Sequence, residues 1–359
     1  MPLTYPVKTV ALIILVLLAG AVAMIFRPGG GTQVFADETT VIRVAGSTTV
    51  LPIVSRAAER FQARHASVKI TVNAGGSGVG IHGAGTRRFD IGLASREISS
   101  KEKHRYASSH LQTTVIGRDA VACVVSSEVF DGGVRVLSKQ QIRDIYLGNI
   151  THWQQVGGPD RPILVIDKEV HRGTRHVFMQ YLFGKSNARA PGAWLVTGSN
   201  NEEQAKIAQS DSAIGMLSIA WINDEVVGIG IRDGERVIQP TLDNVRTGRF
   251  PIARNLNLIT TGKPQGAVKQ FIDYLLSEAG QKRVAESGYI PIQSPHAVSR
   301  VAGSHSKGRI PLAPFTRGGK QKSPLPLGER IKVRGKENVV APLMGRISKP
   351  LDKSSNYKK

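Results

Sequence analysis

Four short stretches of this sequence carry side chains suited to holding an anion. The first is Ala45-Gly46-Ser47-Thr48-Thr49, and the second is the glycine-rich run NAGGSGVGIHGAG from Asn73 to Gly85, with Ser77 inside it. The third is Ser95-Arg96, and the fourth is Lys168-Glu169-Val170-His171-Arg172-Gly173-Thr174. Glycine, hydroxyl and cationic residues recur across them. A helix N-terminus has unpaired N–H groups and a partial positive charge, so hydroxyls placed there complete a pocket for an anion. One such turn is ordinary, and Ser47 or Thr48 taken alone reads equally well as a helix cap. Four turns of similar chemistry point to convergence on one oxyanion.

Other chemistry fits less well. Gly78-Val79-Gly80-Ile81-His82-Gly83 matches G-x-G-x-x-G, but the strand before it ends near Val72, six residues too early for the tight turn of a dinucleotide site. Ser77 as a nucleophile would need G-x-S-x-G, and Val79 breaks that pattern. No Asp/His pair is spaced to activate it. The nine His residues form no helical pair with a Glu, so no metal site is expected. No cofactor and no catalysis are expected either. His152 and Trp153, ahead of Gln154–Gly158, read as surface-turn residues.

The elements that must position these stretches follow from spacing. Val41, Ile42 and Val44 read as a strand; Val50, Ile53, Val54, Ala57 and Phe61 then fall at helical intervals. Val68–Val72, Phe89–Ala94, Thr114–Ile116, Val121–Val125, Ile163–Ile166, Ala213–Leu217 and Leu256–Thr260 read as further strands. Ser138 with Gln141 forms a capping-box pattern ahead of Ile142, Ile145 and Tyr146. Val177, Phe178, Tyr181 and Leu182 mark one helix face, and Val268, Phe271, Ile272, Leu275 and Leu276 another. Alternating strands and helices predict an α/β fold with mostly parallel sheets, whose ligands bind beyond the carboxyl ends of the strands.

Composition sets the outer bounds. The chain has 359 residues and a net charge of +21, and residues 303–359 hold 14 Lys/Arg against 3 Asp/Glu. About half the basicity therefore sits in that tail, which is weak support for nucleic-acid binding by the rest. The tail is rich in Pro, Gly and Ser without periodicity and reads as disordered. Residues 10–26 are apolar or Gly behind Lys8, the pattern of a signal peptide or short membrane anchor, with Val34-Phe35-Ala36 as a cleavage site. The single Cys123, in an apolar run, forms no internal disulfide and reads as a small buried hydrophobe. The expected location is outside the cytoplasmic membrane, either free or tethered through residues 10–26.

GSTTVLPIVSRAAERF, GGSGVGI, FDIGLASREIS, LSKQQIRDIYLGNITHWQQVGGPDRPI, RGTRHVFMQYLFG, SAIGM and FPIARNLNLITTGKPQGAVKQFIDYLLSEAGQKRVAESGYIPI together resemble the PstS-type phosphate-binding component of the phosphate ABC transporter. The resemblance spans about Val41 to Ile292. It implies a two-lobed periplasmic-binding fold of the second type. Residues 37–118 and 254–302 would form one lobe and 119–253 the other, with 1–36 a leader or anchor. The hinge crossings would fall near Thr114–Ala120 and Ala253–Thr260. By resemblance the ligand residues are Thr48, Thr49, Ser77, Ser95, Arg96, Lys168, Arg172, Gly173 and Thr174. The implied function is capture of inorganic phosphate and its delivery to a permease and ATPase complex, by a monomer that binds no nucleic acid. The alternatives are a sensor or scaffold for sulfate, molybdate or arsenate, and a Ser-dependent hydrolase.

The fourth stretch departs from the family. Lys168 stands where Arg is usual, Arg172 where Ser is usual, and His171 where Gly is usual. Arg172 either faces the ligand, giving three cations around one anion with Arg96 and Lys168, or turns to Glu169. An acceptor for a proton on the ligand is missing unless Glu169 turns inward.

Overall fold

The computed structural model describes residues 39–292. The apolar segment 10–26 and the basic tail 303–359 lie outside the described residues. The first half of the chain alternates regularly: β1 (Thr40–Gly46), α1 (Leu51–Gln62), β2 (Val68–Ala74), α2 (Ser77–Gly85), β3 (Ile91–Ala94) and α3 (Ser100–Arg105). A long strand, β4 (Leu111–Ser126), follows, then α4 (Ser127–Asp131), β5 (Val136–Ser138) and α5 (Lys139–Leu147). Next come β6 (Leu164–Lys168), α6 (Gly173–Phe183), β7 (Leu195–Thr197), α7 (Asn200–Ala208) and β8 (Ala213–Ser218). Then β9 (Val226–Gly228), β10 (Gly230–Asp233), β11 (Arg236–Ile238) and α8 (Leu242–Arg246) lead to β12 (Ala253–Thr261). The described chain ends with α9 (Gly266–Leu276), α10 (Glu278–Glu286) and β13 (Ile290–Pro291).

The main sheet runs β2-β1-β3-β12-β4-β8-β6-β7. Each flank is parallel, β2-β1-β3 on one side and β8-β6-β7 on the other. Between them β12 and β4 run antiparallel to each other and to their outer neighbours. The expected strands at Thr114–Ile116 and Val121–Val125 are thus one continuous strand, and Gly117 does not interrupt it.

Two hydrophobic clusters draw on different stretches. One gathers Ile42, Val44, Ile53, Phe61, Leu93, Leu258 and Phe271. The other gathers Val121, Cys123, Tyr146, Trp153, Phe178, Met216 and Phe250. Helix α1 buries Ile53, Val54, Ala57, Ala58 and Phe61, the face its spacing predicted, at roughly 1.5–3 kcal/mol for each large side chain. Cys123 is fully buried, as its apolar run suggested. Trp153 is a correction: it is 0 % exposed, and its indole N–H donates to the Ser212 carbonyl at 2.9 Å. A polar turn therefore anchors itself through one large ring.

The glycine-rich stretch is a helix, α2, rather than an open loop. Its glycines let the helix lie against the sheet. A Cβ on Gly80 would collide with the Leu93 carbonyl and meet that of Ala45 at 3.0 Å. Gly83 lies under the Phe89 ring and Gly85 under Tyr106. Close approach outweighs the low helix propensity of glycine here.

Candidate functional site

Three helices open where the four stretches meet, and none has a side-chain cap. Val50 precedes α1, Gly76 precedes α2 and Arg172 precedes α6, each without a capping hydrogen bond. Elsewhere Ser99, Ser138, Ser199, Thr241 and Ser277 cap α3, α5, α7, α8 and α10, while α4 and α9 also lack a side-chain cap. The hydroxyl of Ser47 accepts from the Thr49 N–H at 3.3 Å, ahead of α1 rather than on its first turn.

The hydroxyls converge instead on one another. Ser47 Oγ donates to Ser95 Oγ at 3.0 Å, and Ser77 Oγ lies 3.4 Å from the same atom. The Ser95 N–H donates to Ser77 Oγ at 3.0 Å. Thr49 Oγ1 accepts from Asn200 Nδ2 at 3.0 Å. Gly173 brings the start of α6 into this group, because a Cβ there would collide with Ser77 Oγ and sit 2.6 Å from Ser95 Oγ. Of the residues expected from the sequence, Thr49, Ser77, Ser95, Gly173 and Thr174 come together, all buried. Thr48 is half-buried in the adjoining turn.

The three expected cations are arranged differently. Each has its own carboxylate. Arg96 forks onto Glu102 through two bonds of 2.8 Å, away from the hydroxyl group. Burial pushes the Glu102 carboxyl up, but Arg96 and Ser99 outweigh it and hold it at about 2. Lys168 is ion-paired with the fully buried Glu203 and donates to the Ser199 carbonyl at 3.2 Å. Burial pushes the Lys168 ammonium down and the Glu203 carboxyl up. Arg172 is held by Glu169, with Nε to Oε2 at 2.7 Å, and its stem lies against Gly76. The turn to Glu169 is therefore the geometry found, with the Arg172 side chain 16 % exposed, and Glu169 stays 42 % exposed rather than turning inward. Among the described residues, all three expected cations are paired.

Sequence reasoning missed the cation at the centre. Arg254, on β12, is 7 % exposed. Its Nη1 donates to Thr174 Oγ1 at 3.1 Å and to Ser95 Oγ at 3.3 Å, and its Nη2 to Thr49 Oγ1 at 3.3 Å. Asp119 lies opposite Arg254 in the register of β4 with β12. Its Oδ2 takes Arg254 Nε at 2.9 Å and Nη2 at 2.7 Å, while Oδ1 accepts from Ser218 at 2.8 Å. The available signal was a charge just ahead of an apolar strand run, Asp119 before Val121–Val125 and Arg254 before Leu256–Thr260, which demands a partner once buried.

Parallel strands feeding uncapped helix N-termini, on either side of two antiparallel connecting strands, make this a solute-binding protein of the periplasmic type. A family model described as a PBP superfamily domain matches residues 33–279. The phosphate-binding protein PstS of Bacillus subtilis is 32 % identical over 255 residues, covering 70 % of this chain and 80 % of that one. PstS of Borreliella burgdorferi is 28 % identical, covering 72 % and 92 %. The chain belongs to the PstS phosphate-binding protein family. Among solved structures, a phosphate ABC transporter substrate-binding protein of Clostridium perfringens with bound phosphate superposes with a TM-score of 0.64 at 29 % identity, covering 71 % of this chain and all of that one. An ABC-type phosphate transport receptor of Vibrio cholerae gives 0.58 at 30 % identity, covering 70 % and 100 %.

Proposed function

We propose that this protein captures inorganic phosphate outside the cytoplasmic membrane and delivers it to an ABC permease and ATPase complex. The observation that carries this is the convergence of three uncapped helix N-termini with five hydroxyls, those of Ser47, Thr49, Ser77, Ser95 and Thr174. Helix dipoles and hydroxyl donors together favour a small tetrahedral anion over a cation or an apolar solute. Nothing in this chemistry acts on the ligand. The membership in a family of substrate-binding proteins supports the same reading.

Within the described residues, the two hydrophobic clusters support the expected pair of lobes, one built from residues up to 118 together with those from 254 on and the other from 119–253, hinged through β4 and β12. Ligand would close the lobes, burying the anion under hydrogen bonds worth roughly 1.5–3 kcal/mol each where charge assists them. Among the described residues no helix is long and apolar enough to cross a membrane. The tether proposed for an uncleaved chain is the apolar segment 10–26.

Calorimetric titration of the purified protein with phosphate, arsenate, sulfate and molybdate tests the function. Tight binding of phosphate with a fall in the radius of gyration supports capture by closure. Preference for sulfate or molybdate would replace phosphate capture by a different oxyanion role. Binding without compaction would remove the hinge.

A further inference from the structure

We propose that Arg254 is the cation that the oxyanion meets in this site, and that Asp119 is the residue that positions it. The inference rests on the reading of the site as an oxyanion receptor and assigns the central role in it.

A guanidinium has five N–H donors in a planar fork. Two of Arg254's are committed to Asp119 Oδ2, through Nε at 2.9 Å and Nη2 at 2.7 Å. The rest of the fork aims at Thr174, Ser95 and Thr49, which come from α6, the end of β3 and the turn before α1. These hydroxyl oxygens have other partners. Thr49 Oγ1 also accepts from Asn200, and Ser95 Oγ also accepts from Ser47. An oxyanion that takes the Arg254 donors replaces neutral acceptors with a charged one, and charge-assisted bonds are about twice as strong. The hydroxyls then turn their own protons to the same anion.

The four cations of the neighbouring segments do not offer this. Arg96, Lys168 and Arg172 point at Glu102, Glu203 and Glu169, and Arg175 forks onto Asp167. Arg254 alone of these five joins its carboxylate and the hydroxyl group at once. It is also reachable: a cavity of about 260 Å³ approaches it from the side of Arg96, Arg118 and Asn255. Asp119 is wholly buried and fixed from its other oxygen by Ser218, so the fork is set before any ligand arrives. A lysine at 254 would keep the charge and lose the planar fork.

The test is phosphate titration of the full chain and three variants, with thermal melting to check folding. Arg254→Lys should raise the Kd for phosphate at least tenfold. Arg254→Gln combined with Asp119→Asn removes both buried charges together and leaves neither unpaired; it should melt cooperatively and bind at least a hundredfold more weakly. Should one of these fail to fold, the other decides. Asp119→Asn leaves Arg254 uncompensated, so its phosphate affinity should fall more steeply with added salt than that of the parent. A merely structural Asp119 would lower the melting temperature without changing that salt slope, and that result overturns its positioning role. Parent protein that binds phosphate, with Arg254→Lys and the double variant within threefold of it, overturns the assignment of Arg254. Parent protein that binds only sulfate or molybdate overturns phosphate capture, and the same variants titrated with that anion then judge Arg254 separately. Parent protein that binds none of the oxyanions overturns both.

Discussion

Gly173→Ala adds one methyl where the chain has no room for it. In this arrangement a Cβ at 173 collides with Ser77 Oγ, lies 2.6 Å from Ser95 Oγ and 3.1 Å from Ser77 Cβ. Neither hydroxyl is free to rotate away at no cost. Ser77 Oγ accepts from the Ser95 N–H, and Ser95 Oγ accepts from Ser47 and Arg254. Where α6 separates from Ser77 and Ser95 to relieve the clash, closing on a ligand must press it back and give up these three bonds, at about 0.5–1.5 kcal/mol each, which costs the bound form roughly 2–4 kcal/mol. At 1.4 kcal/mol per tenfold, phosphate affinity should fall roughly 30- to 1,000-fold. Folding should not suffer to match. Gly173 is the first residue of α6, with no positive φ, and alanine is a better helix former by roughly 0.5–1 kcal/mol. A small separation of α6 from Ser77 and Ser95 also relieves the clash without unfolding either side. Calorimetric titration and thermal melting on the same sample therefore separate the two effects: affinity lost, melting temperature kept or raised. A Gly173→Ala protein that binds phosphate within threefold of the parent would refute the close approach of these segments in the bound form.

Arg172→Ser should change phosphate affinity by less than about twofold, because Arg172 is already held by Glu169; a tenfold loss by titration would put Arg172 in the site. Trp153→Ala should cost about 3–5 kcal/mol, lowering the melting temperature by roughly 6–20 °C, and a drop under about 3 °C in scanning calorimetry would contradict its place in the core. Burial, then the nearby Arg96 charge, push His176 down to about 4 from its ordinary 6.5. A depressed histidine is neutral in the fold, so its contribution is complete above pH 6.5 and is lost as pH falls toward 4. Glu102 acts lower: held at about 2, it stabilises above its ordinary 4.5 and that contribution disappears as pH falls toward 2. Denaturant unfolding should therefore weaken by roughly 1–2 kcal/mol from His176 between these limits, after discounting for solvent screening, and His176→Gln should flatten that limb.

The stretches around the hydroxyls were legible because their signals are local. A strand, a Gly-Ser-Thr turn and a helical apolar pattern lie within about twenty residues of each other at Val41–Phe61, and the structure builds them as β1 and α1. Helix α2 was harder to read, because glycine normally marks loops, and only the sheet beneath it shows why Gly80, Gly83 and Gly85 are helical. Trp153 was misread because its neighbours are polar and its partner, the Ser212 carbonyl, is 59 residues away. Glu202 and Glu203 stand side by side in one polar run, yet one accepts at a helix start and the other is buried against Lys168. Nothing in their composition separates them.

The electrostatics of the site were the least legible part, and the reason is distance along the chain. A count of cations near the ligand motifs gives Arg96, Lys168 and Arg172, and suggests an excess of positive charge. Each of these is cancelled by a carboxylate that the motif does not contain, or contains facing outward. The cation that remains in contact with the hydroxyls, Arg254, is 205 residues from Thr49, 159 from Ser95 and 80 from Thr174. Its own partner, Asp119, is 135 residues away. Only the antiparallel register of β4 with β12 sets these two side by side. With Arg96, Lys168 and Arg172 each matched, the proposed site would draw an anion through oriented dipoles and one fixed fork rather than through an excess of charge on its motifs.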